Sequence, residues 1–211
     1  MIIHQFKSLE ALEVHIGIPG SLRISSTPDQ PQVTMQFPSC DPDRLDLNIT
    51  ENNHQARIFL EDRFNKSNGA MYADTKITLP ESLLESLKIN TICSNMSIGP
   101  VSVNSVEIHN VKGKIEILPD THIRNLKLTL VESKASVNIS NDIERAHFKA
   151  IQCNMLLKTS GFQGGIDIDI VGAKAGANNM MFQNGHWVFG DKNNHRIACE
   201  VIGGIFDINQ Q

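Results

Sequence analysis

Six positions, Ile92, Val111, Val131, Ile151, Val171 and Ile202, anchor segments that can be laid one upon another. The spacings between them are 19, 20, 20, 20 and 31 residues. Five and three residues before each anchor the chain is apolar, as in Val106/Ile108, Leu126/Leu128 and Ile166/Ile168. Four and six residues after it the chain is apolar again, as in Ile115/Ile117, Ala135/Val137 and Met155/Leu157. The residues between are mostly polar, which is the period of a β-strand with one face buried. The position two after each anchor is always small: Ser94, Gly113, Ser133, Cys153, Ala173 and Gly204. A small residue there marks a sharp corner, where a large side chain clashes or a permissive backbone is wanted.

A unit of two short strands and a corner cannot bury its apolar side chains alone. Stacked in parallel on its neighbours, it can. The repeat therefore predicts an all-β fold, a parallel, β-helix-like β-solenoid of about six coils of roughly twenty residues. An antiparallel sandwich also gives alternating strands with regular turns. Six aligned units with one fixed corner favour the solenoid. An aromatic content of 5% agrees, since a narrow stacked core suits Ile, Val, Leu and small residues. The best helical window, Pro80–Lys88, is short.

The extra length before the last anchor, residues 178–191, reads as a hairpin turning at Asn184-Gly185. Residues 1–80 differ from the repeats and carry six of the eight prolines. Their strands, Leu12–Ile16, Leu22–Ser26, Gln32–Phe37, Leu45–Thr50, Ala56–Glu61 and Thr75–Leu79, do not follow the twenty-residue spacing. An exposed solenoid end is a template for further strands and needs a cover. The segment is therefore expected to form a β-rich N-terminal cap or irregular first coils, continuous with the coils of 81–211 in one domain spanning 1–211.

The segments LEVHIGIPGSLRISS, TKITLPESLLESLKINTICSNMSI, SVEIHNVKGKIEIL and HRIACEVIGGIFDI together are similar to the adhesin-like β-strand-repeat family of unknown function. The likeness runs from about residue 10 to the end of the chain. It implies a repetitive all-β fold and a binding or structural role. Its motifs are patterns of apolar and small residues, so no functional residue is carried over.

Chemistry-bearing motifs are sparse. No nucleophile elbow, HExxH, P-loop or dinucleotide fingerprint occurs. Cys40, Cys93, Cys153 and Cys199 lie far apart, which suits free thiols better than zinc or redox chemistry. Neither cofactor nor metal is expected. A formal charge of −4 offers no field for nucleic acid, and no apolar run is long enough to span a membrane as a helix. The N-terminus lacks the pattern of a secretory or mitochondrial leader, so a cytoplasmic location is expected.

Two surfaces remain as candidates. Asp167 and Asp169 alternate with isoleucines and leave one strand on the same side. If the units stack in chain order, Asp167 neighbours His147, Asp169 neighbours Lys149, and Glu107 lies between Lys88 and Lys127. One reading is a carboxylate site on carbohydrate, as in glycoside hydrolases. The other, which alternating signs favour, is a ladder of cross-strand charges that holds register. The second surface is the 178–191 insertion with Met181, Phe182, Trp187 and Phe189, which either meets a partner or folds over the last coil as a cap. The expectation is a non-enzymatic interaction module that binds a protein partner or a copy of itself, with a glycan the alternative ligand.

Overall fold

The computed structural model describes residues 1–211 except 39–40, 64–70, 161, 178–179, 192–193 and 210–211. Alternation along the chain produces β1 (Ile2–Gln5), β2 (Ala11–Ile16), β3 (Gly20–Thr27), β4 (Gln32–Gln36), β5 (Leu45–Asn52), β6 (Gln55–Asp62) and β7 (Ala73–Pro80). Next come β8 (Leu84–Ile92), β9 (Ser94–Ile98), β10 (Ser102–Val111), β11 (Lys114–Ile117), β12 (His122–Val131), β13 (Lys134–Asn138) and β14 (Arg145–Lys158). The last are β15 (Gly165–Val171), β16 (Lys174–Ala177), β17 (Met180–Phe182), β18 (Gly185–Phe189) and β19 (His195–Asn209). Among the described residues the only helical element is a 3-10 turn at Pro42–Arg44. The short helical window at 80–88 runs into β8 instead, because strand pairing buries Leu84, Leu87 and Ile89.

The strands form one large mixed sheet that does not close into a barrel; among the described residues β1, β5, β17 and β18 each pair on one side only. Its strands fall into two tracks. The first runs β5, β6, β2, β8, β10, β12, the first half of β14, the first half of β19, β15, β18. The second runs β1, β4, β7, β3, β9, β11, β13, the second halves of β14 and β19, then β16 and β17. Pairing is parallel throughout the middle of both tracks and antiparallel at their ends.

The six anchors are register partners: Ile92 with Val111, Val111 with Val131, Val131 with Ile151, and Ile202 with both Ile151 and Val171. Like side chains therefore align inside. One buried row is Leu87, Val106, Leu126, Ala146, Ile197, Ile166. The next is Ile89, Ile108, Leu128, Phe148, Cys199, Ile168, where small Cys199 makes room beside Phe148. Each such large aliphatic side chain contributes about 1.5–3 kcal/mol when fully buried.

Chain order and spatial order part company at both ends. β19 sits between β14 and β15, so the last unit in the chain is not the last in space. Likewise β2 sits between β6 and β8, and β3 between β7 and β9. The N-terminal strands thus join the register of the repeats by parallel pairing, although their spacing along the chain hides it. The 178–191 segment is not a simple hairpin. β17 pairs antiparallel with β16 and β18 antiparallel with β15, so the segment retraces the preceding unit backwards, one strand per track. β4 and β5 do the same over β7 and β6 at the other end.

The corner has a division of labour that the alignment did not separate. The residue one after each anchor is left-handed: Cys93, Lys112, Glu132, Gln152, Gly172 and Gly203 have φ between 50° and 67°. The small residue that follows is small for packing, and at Gly204 it is left-handed as well, with φ at 89°. A Cβ on Gly113 would stand 2.2 Å from the Ser94 carbonyl oxygen, and one on Gly204 2.1 Å from that of Cys153. At the corner of β10, buried Asn110 donates to Thr91 Oγ1 at 2.8 Å and accepts from Ser133 Oγ at 2.8 Å, a polar plug across three units.

Candidate functional site

The outward side chains of the first track form rows across the strands. One row reads Glu13, Lys88, Glu107, Lys127, His147, Ala198, Asp167. Glu107 lies between Lys88 and Lys127 as the repeat predicts, and Lys127 Nζ donates to it at 2.8 Å. That hydrogen bond, then the one from His109 at 3.0 Å, holds the Glu107 carboxyl below its ordinary value, with desolvation opposing.

The expected adjacency of Asp167 to His147 and of Asp169 to Lys149 does not hold. β19 intervenes, so Ala198 separates His147 from Asp167 and Glu200 separates Lys149 from Asp169. Lys149 pairs with Glu200 at 3.1 Å, and His147 lies 3.8 Å from the same carboxylate. Asp169 faces His186 of β18 at 3.0 Å, and Asp167 lies 3.9 Å from that imidazole. One histidine of the reversed end strand thus spans both carboxylates. This arrangement ties β18 to β15 and puts a base next to acids, without a positioned nucleophile.

The missing side chain at Ala198 opens a shallow groove of about 420 Å³ on this face. Arg145 and Arg196 line it together with the row Glu107, Lys127, His147, Ala198, Asp167, of which Glu107 and Asp167 are the two ends. Arg145 and Arg196 each precede a register pair, Ala146 with Ile197, so both reach the groove from the start of the β14–β19 pairing, where β19 is irregular against β15 at Arg196. Neither arginine takes part in an ion pair among the described residues, and Arg196 Nε donates only to Asn194 Oδ1 at 3.1 Å. Both were missed in the sequence. They occupy one alignment column, six before Ile151 and six before Ile202, but that column gathers them only when β19 is known to lie beside β14.

The aromatic residues of the insertion gather at the C-terminal end of the core. Phe182 is buried, with ring centroids 5.0 Å from Trp187 and 4.9 Å from Phe189. Trp187 Nε1 donates to the Gln183 carbonyl at 2.9 Å. Trp187 is 37% and Met181 72% exposed. Cys153 and Cys199 are buried free thiols whose ionisation burial opposes, and Cys93 is exposed. Cys40 lies outside the described residues. Among the described residues no three His, Cys, Asp or Glu side chains gather as a metal site, and no helix is long and apolar enough to cross a membrane.

No family model matches the chain, and no curated protein does. Solved structures do. A protein of Clostridium sporogenes described as a "putative cell adhesion protein" is 13% identical with a TM-score of 0.56, over 100% of this chain and 98% of that one. A "putative adhesin" of Bacteroides fragilis is 10% identical with a TM-score of 0.41, over 98% of this chain and 95% of that one. The first likeness establishes a shared fold.

Proposed function

We propose that the chain is a non-enzymatic, adhesin-like binding module built as a β-solenoid, presenting the outer face of the first track to a ligand. The observation that carries this is the groove at Ala198: a concavity on a rigid, registered strand face, edged by two arginines that the described fold leaves without acidic partners. Binding sites are concave and carry a few convergent polar groups, and this one lacks a nucleophile poised beside a base. A protein of like fold is described as a "putative cell adhesion protein", in keeping with a binding role. Asp167 and Asp169 serve the end strand through His186, so hydrolysis at those carboxylates has no observation in its favour. The exposed faces of Trp187 and Met181 offer a second contact for a protein partner or another copy. Free Cys93, Cys153 and Cys199 suit a reducing compartment, in keeping with a cytoplasmic placement that cell fractionation tests.

The test is a panel of polysaccharides and candidate protein surfaces, read by titration calorimetry and, in parallel, by release of reducing ends. Saturable binding without turnover is the expected result. Turnover of any bound glycan, or absence of binding to every class, overturns the reading.

A further inference from the structure

We propose that the Ala198 groove binds an acidic saccharide, a carboxylate or sulfate on a polyhydroxylated chain, with Arg145 and Arg196 as the oxyanion clamp. The inference rests on the binding-module reading and names its ligand. Its basis is the chemistry of the walls. A guanidinium presents a planar fork that matches a carboxylate or sulfate with two parallel hydrogen bonds, and two forks on adjacent strands can take one oxyanion from both sides.

Local charge supports an anion here although the whole chain is acidic at −4. Lys127 is already engaged by Glu107 at 2.8 Å, and the nearest acid to His147, Glu200, is itself held by Lys149 at 3.1 Å. With Lys127 set against Glu107, the two arginines outnumber the one other carboxylate of the lining, Asp167, and leave the groove positive in balance. Glu107 and Asp167, at opposite ends, are acceptors that suit sugar hydroxyls and repel a polyanion charged on every side. This disfavours nucleic acid, whose phosphates would run past both carboxylates. The groove also lacks an aromatic platform, on which neutral sugars usually stack, so a charged handle is the recognition it can offer. Ala198 supplies the opening: a long side chain there would fill the space between His147 and Asp167.

The experiment titrates the full chain with oligogalacturonate, its methyl ester, a sparsely sulfated galactan, the same galactan without sulfate and a short single-stranded DNA. The variants are Arg145→Ala, Arg196→Ala, Ala198→Gln and, as a distant control on the second track, Lys134→Ala. Thermal melts check that each is folded. Binding of oligogalacturonate or the sparsely sulfated galactan, but not of the ester or the unsulfated galactan, is expected, and which acid binds identifies the source of the oxyanion. Each arginine variant and Ala198→Gln should weaken it at least about tenfold, with Lys134→Ala unchanged. Arg145→Lys, which keeps the charge and loses the fork, should recover only part of the affinity. Equal binding of acid and ester, equal binding of DNA, or folded arginine variants with unchanged affinity overturns the proposal. Binding of a neutral glycan or a protein alone overturns this inference and leaves the binding-module reading standing, whereas no ligand of any class overturns both.

Discussion

Lys149 meets Glu200 at 3.1 Å across two strands that the chain separates by four others. That contact exists because β19 returns to lie between β14 and β15, and it locates the most sensitive joint of the molecule. A chain stacked in sequence order would lose only its last layer on truncation. Here removal of 195–211 strips a partner from β14, β15 and β16 at once. The shortened chain is expected to lose its cooperative urea transition, followed by far-ultraviolet circular dichroism. A cooperative transition with a slightly lower midpoint would contradict the intercalated order.

The corners give a pair of opposed substitutions. Gln152 is exposed with φ at 55°, a conformation that costs a side-chain-bearing residue roughly 1–2 kcal/mol, which glycine avoids at some entropic cost in the unfolded chain. Gln152→Gly is therefore expected to stabilise by up to about 1 kcal/mol. Gly113→Ala, two residues after its anchor and outside the left-handed region, drives a Cβ to 2.2 Å from the Ser94 carbonyl oxygen and should cost about 3 kcal/mol or more. Equilibrium denaturation of both variants decides; a neutral Gly113→Ala would refute the packing account of the small residue.

The polar plug at Asn110 is a second test of stacking. Asn110→Leu keeps the branched shape at a somewhat larger volume and matches Leu130, its register partner on β12. It also leaves the buried Thr91 hydroxyl and Ser133 hydroxyl without their amide partner, at about 1–3 kcal/mol. Restoring part of that loss by adding Thr91→Val would show that the cost is the orphaned hydroxyl and not the shape, which a double-mutant cycle measures directly.

Glu107 brings a pH dependence. Its folded value lies below the ordinary 4.5, first through the hydrogen bond from Lys127 and then that from His109. A carboxyl depressed in the folded state adds stability that is fully present above the ordinary value and is lost as pH falls through the depressed one. Lys127→Met should therefore destabilise at neutral pH, and the gap from the parent should narrow in acid. Denaturant midpoints across that range check it, and a gap independent of pH would exclude the carboxylate as its source.

Much of the fold was legible because burial leaves a period. The anchors, the inward rows and the Glu107–Lys127 contact follow from apolar spacing alone, and the register they imply is the register observed. The order of the end layers was not legible. Alternation states which face a residue takes, not which strand lies beside it, and Ile202 pairs equally well by pattern with Ile151 and Val171. The candidate site suffered for the same reason: Asp167 and His147 share a row, but Ala198 stands between them, and the arginines come together only because β19 lies beside β14. The left-handed residues escaped notice because four of six are not glycine.

The retraced end layers also govern how such a molecule can change length. β5, β18, β1 and β17 close the two tips, and all but β1 come from inside the chain, while the last strand, β19, is already flanked on both sides. A copied repeat appended at the C-terminus would find no vacant edge beside β19. The same copy spliced between β10 and β12, where neighbours in sequence are neighbours in space, would lengthen both tracks and leave the ends intact. Growth of the protein, natural or designed, is thereby directed to its centre.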